Sequence, residues 1–185
     1  YHFLIQPYNI LTVLLFELRI ASLLRGRRNT APNILKGGDG DSYDPIIASG
    51  ENGALPHATP SDNEVKNGDF IVMDFGALYK GYHADMTRTV VVGKASDKHK
   101  EIYNIVLESQ LAGISYAKSG VKCSDLDKAC RDVIDAQGYG ELFMHSTGHG
   151  LGLEVHTMPR ISGMNHTLLE ENNVITIEPG IYIAG

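Results

Sequence analysis

Two carboxylates inside a strand-forming stretch constrain this chain more than any other feature of it. In Phe70-Ile-Val-Met-Asp74-Phe-Gly-Ala-Leu-Tyr-Lys-Gly-Tyr-His-Ala-Asp85-Met-Thr-Arg-Thr-Val, β-branched and aromatic residues dominate both ends and Lys80-Gly81 lies between them, the pattern of a hairpin. With a two-residue turn near Tyr79 to Gly81, Asp74 falls directly opposite Asp85 or diagonal to it on the same face, whereas a slip of one residue separates them. Carboxylates on cross-strand positions about 5 Å apart repel. One then takes up a proton unless a cation lies between them, and a pair of divalent ions about 3.5–4 Å apart fits. The hairpin reads as half of a metal site.

Candidates for the other half lie in Thr147-Gly-His149-Gly-Leu-Gly and Ile175-Thr-Ile-Glu178-Pro-Gly. Glycines on both sides of His149 leave room for other groups to approach an imidazole, and they equally suit a flexible loop. Glu178 follows the apolar run Val174-Ile-Thr-Ile and is stopped by Pro179-Gly180, which predicts the end of a strand with buried neighbours, where an acid needs a partner. Oxygen ligands from Asp74, Asp85 and Glu178 with one imidazole suit manganese, cobalt, zinc or iron. The absence of thiolate from the set argues for a catalytic rather than a structural site.

The chain has 185 residues, 43% hydrophobic and 21% charged, the composition of a soluble globular domain. Its net charge of −6 and dispersed acids argue against nucleic acid as a partner. Cys123 and Cys130, the two cysteines, fall about two helical turns apart, too far for a disulfide, and suit a reducing, cytoplasmic setting. A first helix starts near Asp97, with Ile102, Ile105, Val106, Leu111 and Ile114 as its apolar stripe, and ends near Ser119-Gly120. A second opens on the capping-box-like Ser124-Asp-Leu-Asp127, carries Leu126, Ala129, Cys130, Val133 and Ile134 on one side, and closes at Gly138. Strand pairs flanked by helices give an α+β architecture.

Taken together, Ser42-Tyr-Asp-Pro-Ile-Ile-Ala-Ser-Gly50, Pro56-His57-Ala, the Asp74 and Asp85 stretch with Met-Thr-Arg-Thr after it, Thr147-Gly-His149-Gly, Val155-His156 and Ile177-Glu178-Pro-Gly occur in an order that resembles the pita-bread metallopeptidases. That family includes methionine aminopeptidases, Xaa-Pro aminopeptidases and Xaa-Pro dipeptidases (prolidases). Asp74-Phe-Gly-Ala, Ala84-Asp85-Met-Thr-Arg-Thr and Gly152-Leu-Glu-Val-His156 resemble the Xaa-Pro branch, and the likeness runs from about Ser42 to Gly185. The resemblance implies two divalent metal ions, manganese first with cobalt or zinc as alternatives. Asp74 would chelate one, Asp85 would bridge both, and His149 and Glu178 would bind the other, Glu178 also helping to deprotonate a metal-activated water. It further implies that His57, His145 and His156 line the substrate cleft as hydrogen-bond donors or proton relays, a task that suits groups titrating near the working pH. His2, His83, His99 and His166 read as structural or surface residues, although alternation puts His83 on the face of Asp85.

The implied activity is hydrolysis of the peptide bond before proline in small proline-containing peptides, with no nucleic acid, no membrane and room for a homodimer. No Gly-x-Ser-x-Gly elbow supports a serine nucleophile instead. Relatives carry a further strand beyond the Glu178 motif with a second bridging glutamate, so residues 42–185 read as a pita-bread catalytic domain that is C-terminally incomplete. Glu154 is the nearest spare acid to a site motif. A rival reading follows: an impaired homologue or fragment acting as a peptide-binding module, or one that aggregates through an exposed strand edge. Residues 1–41 match the pattern poorly. Ile10 to Leu24 reads as a buried helix, too charged and too short for a membrane span. Arg25 to Arg28 reads as its solvated end, and Lys36 to Asp41 as a glycine-rich linker or turn.

Overall fold

The hairpin is present and is built in two stages. In the computed structural model, which describes residues 37–56, 58–59 and 61–184, the strands β3 (Phe70–Phe75) and β6 (Met86–Val91) pair antiparallel with Asp74 opposite Thr87. Beyond them the shorter β4 (Ala77–Tyr79) and β5 (Tyr82–His83) pair with Leu78 opposite His83. The register is the same in both stages. Lys80 and Gly81, with φ of 51° and 81°, form the tight turn, both with the positive φ that matches the twist of flanking strands. Asp85 is therefore two residues from Asp74's partner, diagonal to Asp74 on the same face, as alternation predicts. Between the stages lies Gly76, where any Cβ would run into the Ala84 carbonyl.

Two further strands complete this region. β2 (Ile46–Ser49) adds to β3 with Ile46 opposite Asp74, and β1 (Gly40–Asp41) adds to β4. Gly40 and Asp41 thus pair in a sheet instead of forming the linker read from composition. Ile71 and Met73 point away from Asp74 and bury against Ile47, Val65, Phe75 and Val90. This leaves the opposite face of β3 for the carboxylate.

Helix α1 (Asp97–Tyr116) starts at Ser96, whose hydroxyl accepts from the His99 amide while the His99 ring accepts from the Ser96 amide. Its buried seam is Ile102, Ile105, Ser109 and Gly113, so the apolar stripe read from the sequence is corrected at its C-terminal half: Leu111 and Ile114 are exposed. The reason is distance. Ser109 donates to the Cys130 carbonyl at 2.8 Å, and Gly113 lies against Cys130 and Ile177, an approach that larger residues would block. Helix α2 (Cys123–Ala136) buries Cys123, Leu126, Asp127, Cys130 and Ile134, and both cysteines are free. It begins before Ser124 with no capping box, because Val121 and Cys123 are fixed by backbone bonds with Leu169 and Thr167.

β7 (Gly148–Gly150) and β8 (Thr157–Ile161) form the last sheet. Alongside β7 runs the extended stretch from Val174 to Glu178, held by Leu151 N–H to Val174 O, Thr176 N–H to His149 O and Glu178 N–H to Thr147 O at 2.8–3.0 Å. Ile175 and Ile177 face the helices, while Thr176 and Glu178 alternate to the other side. The layout is the expected α+β one, and among the described residues no helix is long and apolar enough to cross a membrane.

The close seam gives a stability prediction. Gly113→Val places branched carbon against Cys130 and Ile177, whose Cγ2 already lies 2.9 Å from the position of an added Cβ. Overpacking of this kind costs about 1–3 kcal/mol, so the urea midpoint should fall at unchanged slope. An unchanged midpoint would mean that α1 and α2 separate freely.

Candidate metal centre

The site forms where the two strand systems meet. Asp74 projects from β3, Asp85 from the link between β5 and β6, His149 from the middle of β7, and Glu178 from the end of the extended run beside it. His149 Nε2 lies 3.3 Å from Asp85 Oδ2 and 3.2 Å from Glu178 Oε1, and the donor atoms of these three residues lie within 4.8 Å of one another. His149 Nδ1–H donates to the Gly150 carbonyl at 2.9 Å, which turns Nε2 toward the carboxylates. Glu178 Oε1 accepts from the Thr176 hydroxyl at 2.8 Å. Two carboxylate oxygens around one oriented imidazole nitrogen form a donor set that fits a divalent cation.

Asp74 reaches this trio through a residue that the sequence reading quoted in a motif but gave no role. The Tyr43 hydroxyl shares its one proton between Asp74 Oδ1 and Asp85 Oδ1, the latter at 2.8 Å. The glycines flanking His149 serve close packing rather than flexibility: a Cβ on Gly148 would meet Thr176 backbone, and one on Gly150 would come 2.7 Å from the Thr157 hydroxyl. His149 is thereby held in a strand, not in a mobile loop.

The metallopeptidase family M24 model matches residues 15–185. The chain belongs to the metallopeptidase family M24. It is 52% identical over 149 residues to an Xaa-Pro dipeptidase of Pyrococcus horikoshii, a match covering 80% of this chain and 42% of that protein. Among solved structures it resembles a prolidase from Pyrococcus furiosus, with a TM-score of 0.79 and 50% identity over 82% of this chain and 45% of that one. An X-Pro aminopeptidase from Thermotoga maritima matches with the same TM-score and 51% identity, covering 82% of this chain and 43% of that one. The chain thus spans less than half the length of the relatives it matches, and its α+β fold is that of the pita-bread metallopeptidases. Membership in M24 implies divalent metal ions, for which the trio above is a partial ligand cluster.

The M24 site is strongly polarised. Burial works against a charged His149, but its bonds to Asp85 and Glu178, with the Gly150 carbonyl, outweigh burial and push its pKa up to about 10. Burial would raise Asp85, yet hydrogen bonds from His149 and Tyr43 and the nearby His149 and His156 hold it below the usual carboxylate range. Asp74 goes the other way: burial raises it, the Tyr43 bond offsets only part, and the Asp85 and Glu178 charges add to the rise. The Tyr43 phenol is driven far up by burial and by its bonds to both aspartates.

The remaining expected site residues divide. His145 is outside the trio and fixed by two bonds: its Nε2 accepts from the Tyr182 hydroxyl at 2.8 Å, and its Nδ1–H donates to the Ser146 carbonyl at 2.8 Å. Tyr182, a second residue that the sequence reading missed, has its phenol pushed up to about 12 by burial and by the Glu178 and Asp74 charges. His156 is exposed, with its ring centroid 4.3 Å from that of His149. His57 lies outside the described residues. His83 is turned from the carboxylates onto Ser42, its Nδ1 3.0 Å from the carbonyl and 2.9 Å from the hydroxyl. Glu154 is exposed and outside the cluster.

These shifts set a pH dependence for chelator-stripped protein. The folded pKa of His149 lies above its unfolded value near 6.5, so its stabilisation is fully present below that value and is lost as pH rises through about 10. Thermal stability should fall by about 2 kcal/mol across that window, the scale of hydrogen bonds to a charged group, and His149→Ala should flatten the fall. A wild-type profile that stays flat from pH 6.5 to 10 would contradict the assignment.

Proposed function

We propose that residues 42–185 form the catalytic domain of a metal-dependent exopeptidase that hydrolyses the peptide bond before proline. The observation that carries this reading is the convergence of Asp85, His149 and Glu178 on one space, with Asp74 tied to Asp85 through Tyr43. Asp85, His149 and Glu178 would hold one divalent ion and Asp74 with Asp85 a second, manganese first and cobalt or zinc as alternatives. When bound, such ions supply carbonyl polarisation and a water of lowered pKa.

The chain's own residues provide the rest. Glu178, the most open of the trio at 31% side-chain exposure, would accept the proton of the attacking water. His156, exposed beside His149, can donate to the oxygen that gains charge as the carbonyl is attacked. His145 can pass a proton toward the leaving proline nitrogen, its ring oriented by Ser146 and Tyr182. The proline preference is supported by the relatives' names. An Xaa-Pro dipeptidase at 52% identity and an X-Pro aminopeptidase at 51% are both similar to this chain, so the proposal is the bond type they share and leaves peptide length open.

The test is Mn²⁺ titration of the stripped full chain with hydrolysis of a Gly-Pro and a Gly-Ala peptide followed in the same samples. Mn²⁺-dependent cleavage confined to Gly-Pro is expected. His145→Ala should lower kcat by about 10²- to 10⁴-fold, the usual worth of a proton-transfer residue, with Mn²⁺ binding retained. Peptide binding that is independent of Mn²⁺, without turnover in any sample, would sink the proposal and leave a peptide-binding module.

A further inference from the structure

Helix α2 carries an ion pair, its aspartate buried and its arginine side chain 31% exposed, whose other bonds leave the helix. Asp127 is 1% exposed, and its Oδ2 accepts from Arg131 Nε at 2.7 Å, one turn along the same helix. Its Oδ1 accepts from the Thr147 amide at 2.9 Å. Arg131 spends its other nitrogens on carbonyls, Nη1 on Phe143 at 2.9 Å and Nη2 on His145, with the guanidinium carbon 4.1 Å from the Phe143 ring centroid. Three alternate residues of one segment, Phe143, His145 and Thr147, are thus held by one pair of side chains.

That segment needs such a hold. Phe143 to Ser146 lies in neither helix nor strand, so its backbone groups lack a ladder to pair with. It leads directly into β7 and His149, and the Thr147 carbonyl accepts the Glu178 amide at 2.8 Å. The His145 ring in turn takes its orientation from the Ser146 carbonyl of the same segment. A buried ion pair stabilises a fold little better than packed apolar side chains of similar volume, whereas a guanidinium with a fixed fork of donors defines geometry well. Outside α2 the pair's hydrogen bonds all go to backbone of the segment that carries His145 and leads into His149.

We propose that Asp127 and Arg131 are positioning residues that clamp the Phe143–Thr147 backbone, so that His149 and Glu178 converge on the metal and His145 meets the substrate. The proposal rests on the metallopeptidase reading of that site and adds to it two residues that touch neither metal nor substrate.

The experiment compares Arg131→Met, Arg131→Lys and Asp127→Asn with Ser109→Ala, which removes a buried bond to the Cys130 carbonyl on the same helix without touching the clamp. Mn²⁺ affinity of the stripped full chain, urea stability, and kcat and KM for Gly-Pro are measured for each. Arg131→Met and Asp127→Asn should lose about 10- to 100-fold in Mn²⁺ affinity, the range seen when residues that orient ligands are removed. Their kcat should fall with KM within about twofold of wild type, as for interactions made only in the transition state. Arg131→Lys should recover part of both, and Ser109→Ala should lose stability while keeping Mn²⁺ affinity. If Arg131→Met does not fold, Arg131→Lys and Asp127→Asn carry the comparison. Affinity losses that track stability equally in clamp variants and Ser109→Ala would reduce the pair to a structural role. A wild-type chain that binds Mn²⁺ without cleaving Gly-Pro would overturn the peptidase reading alone, because the affinity comparison still decides the clamp. A wild-type chain that binds no Mn²⁺ would overturn both.

Discussion

Mutual repulsion among Asp74, Asp85 and Glu178 is what the rest of this structure is arranged around. Acids drawn together in a half-buried space raise one another's pKa and oppose folding unless each finds a proton, a donor or a cation. The chain answers with two groups of different kind. Tyr43 donates to both aspartates without changing the charge of the site, and His149 brings a positive charge between Asp85 and Glu178. Asp74 has only the phenol, and it is the aspartate whose pKa rises. A divalent cation satisfies the same demand more fully than either group, so the features that burden the fold are those that suit the site to a metal.

Keeping those acids together places demands on the backbone. One register carries both stages of the hairpin, and a single-residue slip would turn Asp74 to the face occupied by Ile71 and Met73. On the other side of the site, Ile175 and Ile177 pack toward the helices, which fixes Thr176 and Glu178 toward His149 by alternation. Glycines occur where elements must touch: Gly76 against the Ala84 carbonyl and Gly148 against Thr176. In each place a side chain would push a carboxylate or the imidazole away from its partners.

Much of this was legible in the sequence because it rests on period-two alternation and turn chemistry. That Asp74 and Asp85 share a face, opposite or diagonal, follows from strand composition and Lys80-Gly81, and the place of Glu178 from the apolar run before Pro179. Tyr43 was not legible in the same way. Its role depends on β2 docking beside β3 with Ile46 opposite Asp74, a long-range pairing that no local pattern announces. His83 is structural as read from the sequence: although alternation puts it on the face of Asp85, its ring bonds Ser42. Leu111 and Ile114 misled because a helix seam is chosen by how close the partner comes. Here Ser109 and Gly113 allow a contact that the larger residues would prevent. The start of α2 was set by pairing of Val121 and Cys123 with a distant segment, which overrode the local capping signal at Ser124.

Those same departures from local pattern connect the helices to the site. The small seam of α1 packs α2 closely, and the Ser109 bond to the Cys130 carbonyl adds stability there without reaching the site segment. Asp127 and Arg131 then extend from α2 to the backbone of Phe143, His145 and Thr147, and Thr147 passes the connection to the Glu178 amide. The links at Asp127 and Thr147 join fully buried groups, where geometry is held more firmly than at a solvated surface. A helix pair with no residue in the site thereby restricts how far His149 and Glu178 can move apart, and the Asp74–Tyr43–Asp85 bridge restricts the opposite wall. The acids are thus held from both sides, by the α2 clamp on one and by the Tyr43 hydroxyl on the other, which is how side chains that repel one another remain close.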